Sequence, residues 1–353
     1  MPSFREFVVV AVVWTSLVIG CASQGRRLKV NPELLVKSWV PFPALGFAVD
    51  RCRSSLNRTG RCLALPDCRF SRGIREGECA DGFGVCCVYE AADSVATTLS
   101  NNSYFVQPEF PRPYKGGKNV SLTVTLPAGI CQARLELEQF ALQPPLQGAC
   151  SQDYLQVSLN GSDTYVPKLC GENAGQHVVL HTGDSEEQSL LTLKVSLLQL
   201  GPERVWAIRI VLFACGDPNL APQGCFQFHR GCRGSFRSFG FAQDSSAGSL
   251  SGLSYAMCIA RPVWLQALSL KLRTLSTAPP TDMATHCQSD FVQLPAGFDS
   301  RRGLAAPVRL CGGNATLALH LSVQGPLVFY VVSGQGSNPN MQFEIFYSLY
   351  PCS

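Results

Sequence analysis

At 353 residues the chain is too long for one ordinary core and suits two or three domains. With 46% hydrophobic and 15% charged residues it has the make-up of folded protein, and a net charge of +4 is too small for a nucleic-acid footprint. Seventeen cysteines exclude a reducing compartment unless they serve a metal or catalytic site, and no CxxC spacing occurs among them.

The N-terminus points to export. Arg5 precedes an apolar run over 7–19, and the small residues Gly20, Cys21, Ala22 and Ser23 follow. That order predicts a secretory signal peptide over 1–23, too short for a membrane span, and hence a secreted, extracellular protein. Cys21 is then removed or left at the extreme terminus, and an even number of cysteines remains. Val18-Ile19-Gly20-Cys21 also fits a bacterial lipoprotein cleavage box. Residues 24–50 lack cysteine and periodicity and read as a flexible leader.

Residues 51–88 hold Cys52, Cys62, Cys68, Cys79, Cys86 and Cys87 among few large apolar residues. A unit this small needs covalent staples, and spacing alone allows fifteen connectivities. Residues 89–100 are rich in Ala, Ser and Thr and read as a linker. From 101 onward the signal is strand, with no long helix. Residues 120–126 (VSLTVTL) and 134–140 (RLELEQF) alternate apolar and polar, and 190–198, 205–213, 264–272, 316–323 and 341–347 continue the pattern. The apolar run 327–332 is a buried-strand candidate and is too short to cross a membrane. Many short period-two runs predict a β-sandwich or barrel.

The chain also repeats itself. Cys150-Ser-Gln-Asp153-Tyr154 matches Cys287-Gln-Ser-Asp290-Phe291, and Leu169-Cys170-Gly171 matches Leu310-Cys311-Gly312. A strand ahead of Cys215 parallels one ahead of Cys352. Two copies of one module are expected, over 101–215 and 225–352, joined by a linker at 216–224. Five sequons, at Asn57, Asn101, Asn119, Asn160 and Asn314, predict a glycosylated surface.

The repeated module resembles a CUB domain. Pro108-Glu109-Phe110-Pro111 and Tyr114 match the family's opening, and both copies carry its C-x-x-D and L-C-G steps. Ile130-Cys131-Gln132 and Gly224-Cys225-Phe226-Gln227-Phe228 are similar to the paired CUB domains of secreted arthropod proteins. The six-cysteine unit resembles a clip domain through Gly60-Arg-Cys62, Cys68 and Gly77-Glu-Cys79-Ala-Asp-Gly-Phe-Gly-Val-Cys86-Cys87. These resemblances imply a mostly β chain: a small disulfide-rich clip-like unit, then two tandem CUB jelly-roll β-sandwiches. They imply bridges Cys52–Cys86, Cys62–Cys79, Cys68–Cys87, Cys150–Cys170, Cys225–Cys258 and Cys287–Cys311. Four cysteines are left. Cys131 opens a strand and Cys215 ends the last strand of the same module, so antiparallel neighbours would bridge them. Cys232 is then the candidate for Cys352.

Chemistry is sparse. Many CUB domains hold calcium with three carboxylates, because a hard cation needs several oxygens. Here the C-x-x-D aspartates are Asp153 and Asp290, but the earlier acidic position falls near Gln143 and near Ser276-Thr277, and the late one near Leu198 and near Ser333-Gly334. One carboxylate per module is a poor calcium site, so these aspartates are expected to accept local backbone hydrogen bonds instead. Gly183-Asp184-Ser185 is followed by Glu186-Glu187 rather than oxyanion-hole glycines, and reads as an acidic turn. His177 and His181 share a strand face without a third ligand. The chain is therefore expected to be no enzyme and to use no cofactor or metal. The basic segment 229–237 is the candidate partner site: Arg230, Arg233 and Arg237 stand beside Phe228 and Phe236, and arginine with aromatics is enriched at interfaces. The resemblance implies an extracellular adaptor for a protein or glycan. Its alternative is a non-catalytic regulator or docking partner of a clip-domain serine protease cascade in innate immunity.

Overall fold

The computed structural model describes residues 51–353 apart from 98–99, 184–185, 199–202, 242–249, 262–266, 275–289, 296, 300–303, 307–308, 311–314, 322–324, 335–341 and 352–353. The signal peptide, the leader, Asp184-Ser185, Asn314 and the Cys287–Cys311 pair lie outside the described residues, as does Cys352.

The six-cysteine unit has β1 (Arg51–Arg53), β2 (Thr59–Leu63), the helix α1 (Leu65–Phe70), β3 (Ile74–Cys79) and β4 (Gly84–Val88), in a sheet ordered β1-β2-β4-β3. Its bridges are Cys52–Cys86, Cys62–Cys79 and Cys68–Cys87. Cystine takes the place of a hydrophobic core: Cys68, Cys86 and Cys87 are buried, with only Val85, Leu63, Leu65 and Tyr89 packed against the Cys68–Cys87 pair. Backbones approach so closely that a Cβ at Gly60 would lie 2.7 Å from the Cys87 carbonyl oxygen.

Next come β5 (Glu90–Ala91), β6 (Ser94–Thr97), β7 (Ser103–Val106), β8 (Val120–Leu126), β9 (Ile130–Ala141), β10 (Tyr154–Leu159), β11 (Ser162–Asp163), β12 (Gln176–His181), β13 (Ser189–Ser196) and β14 (Val205–Ala214). They form two five-stranded sheets, β11-β10-β13-β8-β6 and β12-β9-β14-β7-β5. The inward residues of both interleave in one core containing Phe105, Leu122, Leu135, Phe140, Leu193 and Trp206. β9 and β14 are antiparallel neighbours, and Cys131–Cys215 bridges their ends; Cys150–Cys170 is the second bridge of this sandwich.

The 89–100 stretch, expected to be a linker, contains strands instead. β5 pairs in parallel with β7 in one sheet, and β6 pairs in parallel with β8 in the other. Ala, Ser and Thr read as flexible by composition, but an unfilled sheet edge accepts any backbone that can donate and accept hydrogen bonds.

The remaining strands are β15 (Cys225–His229), β16 (Arg233–Arg237), β17 (Ser254–Ile259), β18 (Ala267–Thr274), β19 (Phe291–Gln293), β20 (Gly297–Asp299), β21 (Leu304–Ala306), β22 (Arg309–Leu310), β23 (Ala315–Leu321), β24 (Leu327–Val332) and β25 (Phe343–Tyr350). They too make two sheets, β15-β17-β24-β19-β22 and β16-β25-β18-β23-β20-β21, around a core that includes Phe236, Met257, Leu268, Phe329 and Ile345. Cys225–Cys258 joins β15 to its parallel neighbour β17, and Cys232 is disulfide-bonded.

The described residues belong to one compact unit, Asp50–Ser353. Phe226, Phe239 and Leu250 extend the first sandwich's core into the second, and Val179 packs with Ala221, Cys225, Phe228 and Cys258. Polar pairs fasten the same junction: Gly240 N donates to Asn173 Oδ1 (2.7 Å) and Gln132 Nε2 to the Ala221 carbonyl (2.6 Å). No helix among the described residues is long and apolar enough to cross a membrane.

Candidate functional site

The outer face of the β12-β9-β14-β7-β5 sheet organises the molecule. Cross-strand register places His177, Glu136, Arg209, Tyr104 and Glu90 in one row across all five strands. This row is polar on a sheet whose other face is the core. Glu138 falls at a register shift of β9 against β14, so the extra residue of that bulge reaches the same row. Arg209 donates to Glu136, to Glu138 (2.8 Å) and to Asn102 (2.9 Å), and Arg134 also donates to Glu136.

Two neighbours cover this face. At one end lies the six-cysteine unit. Thr59 N donates to the Tyr104 hydroxyl (2.7 Å), which donates to Glu138 (2.9 Å). Burial, and then the Glu138 carboxylate, push the Tyr104 phenol up, so it stays a neutral donor. Buried Arg58 pairs with Glu76 and Glu90 and lies over the Tyr104 and Phe110 rings. At the other end lies the second sandwich. Phe228 N donates to His177 Nε2 (2.9 Å), and the rings of His177 and His229 meet at 4.9 Å. Burial pulls both imidazoles down, His229 to about 4, with Arg134 adding to the effect in each and His229 adding to it in His177. Both are therefore neutral at pH 7.

Between these two covers a cavity of ≈ 440 Å³ remains open on the sheet. Arg51 of the six-cysteine unit, Arg134 and Arg209 of the sheet, and Arg230 of the second sandwich line it, with Glu136 as the lining carboxylate. Asn219, His177 and His229 add neutral polar groups, and Val211, Phe213 and Phe228 add apolar wall. Arg230 donates to neutral Asn219, and Arg51 has no ion pair among the described residues.

The three arginines singled out from the sequence are thus divided. Arg230 joins the cavity. Arg237 donates to the Ala174 carbonyl (2.9 Å) and lies over Phe241, helping to dock the two sandwiches. Arg233 is exposed on β16, an edge strand, where a charge discourages pairing with another chain. Of the aromatics expected beside them, Phe236 is buried in the second sandwich's core, and Phe228, largely buried in an apolar cluster, also lines the cavity. Arg51, Arg134, Arg209 and Asn219 were not read as site residues. Of these, Arg209 carried a local signal, a charge set inside the apolar strand VWAIRIVLF.

Asp153 and Asp290 take equivalent roles. Leu198 N donates to Asp153 Oδ1 and Gly334 N to Asp290 Oδ1, each at 2.9 Å. The partners are backbone groups as expected but not local ones: they come from loops more than forty residues away, because the fold brings the later loop against each aspartate. In the first sandwich Asp153 also holds Arg204, whose Nε lies 2.6 Å from Oδ2, both side chains being fully buried. No cluster of three or more His, Cys, Asp or Glu suited to a metal occurs among the described residues. Of the sequon asparagines, Asn57, Asn119 and Asn160 are exposed, while half-buried Asn101 exchanges two hydrogen bonds with the Leu212 backbone.

Residues 222–349 match the family model of the animal CUB domain. This chain contains a CUB domain. Cubilin of Sus scrofa is 27% identical over 145 residues, which is 39% of this chain and 4% of cubilin. The chain therefore matches only a small fraction of that relative's length. Among solved structures, the CUB1-EGF-CUB2 domains of rat MASP-1 align over 72% of this chain and 100% of that one, at 12% identity and a TM-score of 0.28. The full extracellular region of zebrafish Gpr126/Adgrg6 aligns over 72% of this chain and 36% of that one, at 13% identity and a TM-score of 0.29. A mostly β, disulfide-bonded chain with a CUB domain is typical of extracellular binding proteins, and CUB domains in general bind protein partners rather than catalyse.

Proposed function

We propose that this chain is a secreted, glycosylated, non-enzymatic adaptor of arthropod type. It has a clip-like unit at 51–88 and CUB modules at 101–215 and 225–352. The clip-like reading draws on the three bridges that close the six-cysteine unit, and the tandem reading draws on the paired sheets and on the matched roles of Asp153 and Asp290. The observation that carries binding is the cavity in which guanidiniums from three parts of the chain converge on one sheet face. Arg51 and Arg230 bring charge that no carboxylate offsets among the described residues, so the complementary partner is acidic.

The test is capture. The secreted full-length chain, immobilised, is expected to retain a defined partner from extracellular extract and to release it to excess free chain. The Arg51→Ser, Arg230→Ser double variant should retain at least tenfold less. Equal retention by the variant sinks this site, and turnover of any substrate by the chain sinks the non-enzymatic reading. Recovery of a clip-domain protease as the partner would select the alternative role, a non-catalytic regulator of such a cascade.

A further inference from the structure

We propose that the basic cavity binds a sulfate ester on an extracellular glycan; this rests on the binding reading above and narrows its ligand. The first ground is charge. Four guanidiniums line the cavity, and the lining carboxylate, Glu136, is shared by Arg134 and Arg209. Since His177 and His229 are neutral at pH 7, the surplus positive charge lies on Arg51 and Arg230, at opposite covers of the same sheet face. A guanidinium offers several N–H groups in a fixed fork and matches the oxygens of a tetrahedral anion.

The second ground is preorganisation. Arg209 is fixed by Glu136, Glu138 and Asn102, and Arg134 by Glu136 and by its stacking over Phe213 at 5.8 Å. Side chains held in place before binding lose little freedom on capture. A volume of ≈ 440 Å³ also falls within the usual range of small-ligand sites.

The third ground separates a sugar from an acidic peptide. An extended peptide gains main-chain hydrogen bonds where it can add a strand to a free sheet edge. This cavity lies on a sheet face, and β9 and β14 are interior strands whose two backbone edges are already paired. It therefore offers side chains: guanidiniums for the sulfate, the Asn219 amide and two imidazoles for hydroxyls, and Phe213 and Phe228 for the apolar side of a sugar ring. A phosphate monoester shares the tetrahedral chemistry of the sulfate, so both are probed.

Calorimetry on the secreted full-length chain would use a heparin-derived tetrasaccharide, its fully desulfated counterpart, glucose 6-phosphate and a poly-glutamate peptide. The sulfated sugar is expected to bind, and the desulfated one at least tenfold more weakly. Arg51→Gln with Arg230→Gln should lower affinity at least tenfold at unchanged Tm, whereas Arg233→Gln, exposed but outside the cavity, should change nothing. Equal binding of both sugars, or full binding by the double variant, overturns the site. Tighter binding of glucose 6-phosphate than of the sulfated sugar moves the source to a phosphate and overturns the glycan sulfate. Binding of poly-glutamate alone overturns it too but leaves the adaptor reading standing, as does partner capture by a chain that binds no sugar.

Discussion

The two sheets of the first sandwich share one core and differ in what lies behind them. β8 and β13 alternate buried with more open residues along VSLTVTL and SLLTLKVS, as a sheet with one face in water must. β14 buries seven successive residues, Trp206 through Leu212, because its outer face is covered as well. A strand that stops alternating announces that something lies over it. A charge within such a strand is then a group held under cover, and Arg209 is that group.

The sharpest way to break this contrast is to truncate one charge on each sheet. Arg209→Ala would leave Glu136 and Glu138 without their shared partner on the covered face, and should cost about 3–5 kcal/mol. Lys194→Ala, exposed on β13, should stay within about 0.5 kcal/mol. Equal losses in urea denaturation would mean that the covered face is no different from the open one.

The next effect belongs to the covered face alone. The folded pKa of His229, about 4, lies below its ordinary 6.5. As pH falls the unfolded chain takes up this proton first, so the His229 contribution is complete above pH 6.5 and is lost as pH falls toward 4. The expected loss is about 3 kcal/mol. Melting curves of wild type and His229→Gln should converge at acid pH; two parallel curves would place that imidazole in water.

The smallest effect is expected on the open sheet. Thr123 and Thr192 face each other across β8 and β13 with their hydroxyls 3.0 Å apart. Thr123→Ala should cost about 0.5 kcal/mol, the scale of a cross-strand pair. A loss above about 2 kcal/mol would show a role beyond that pairing.

Strands were legible where one periodicity dominates. VSLTVTL is β8 and LVFYVV is β24, each with the bounds read from the sequence. The short strands β5 and β6 were not, because backbone pairing at a sheet edge leaves little trace in composition. Of the cavity, Phe228, His229 and Arg230 were legible, since they stand together in one basic segment. Arg51, Arg134 and Arg209 are far apart in sequence and meet through cross-strand register and through the two covers, and neither is written in a local window. Phe236 misled for a related reason: it is next to Arg237 on β16, and successive side chains of a strand point to opposite sides of the sheet.

The divergence of β5 and β6 has a mechanical consequence. A single short span of chain, leaving the six-cysteine unit, is stitched first to one sheet and then to the other, in parallel with both partners. Tension arriving from that unit therefore runs along the strands rather than across them. The hydrogen bonds of each short ladder share the load and must yield together, instead of opening one by one like a zip. The junction that composition suggested as the softest point of the chain is built as a shear clamp.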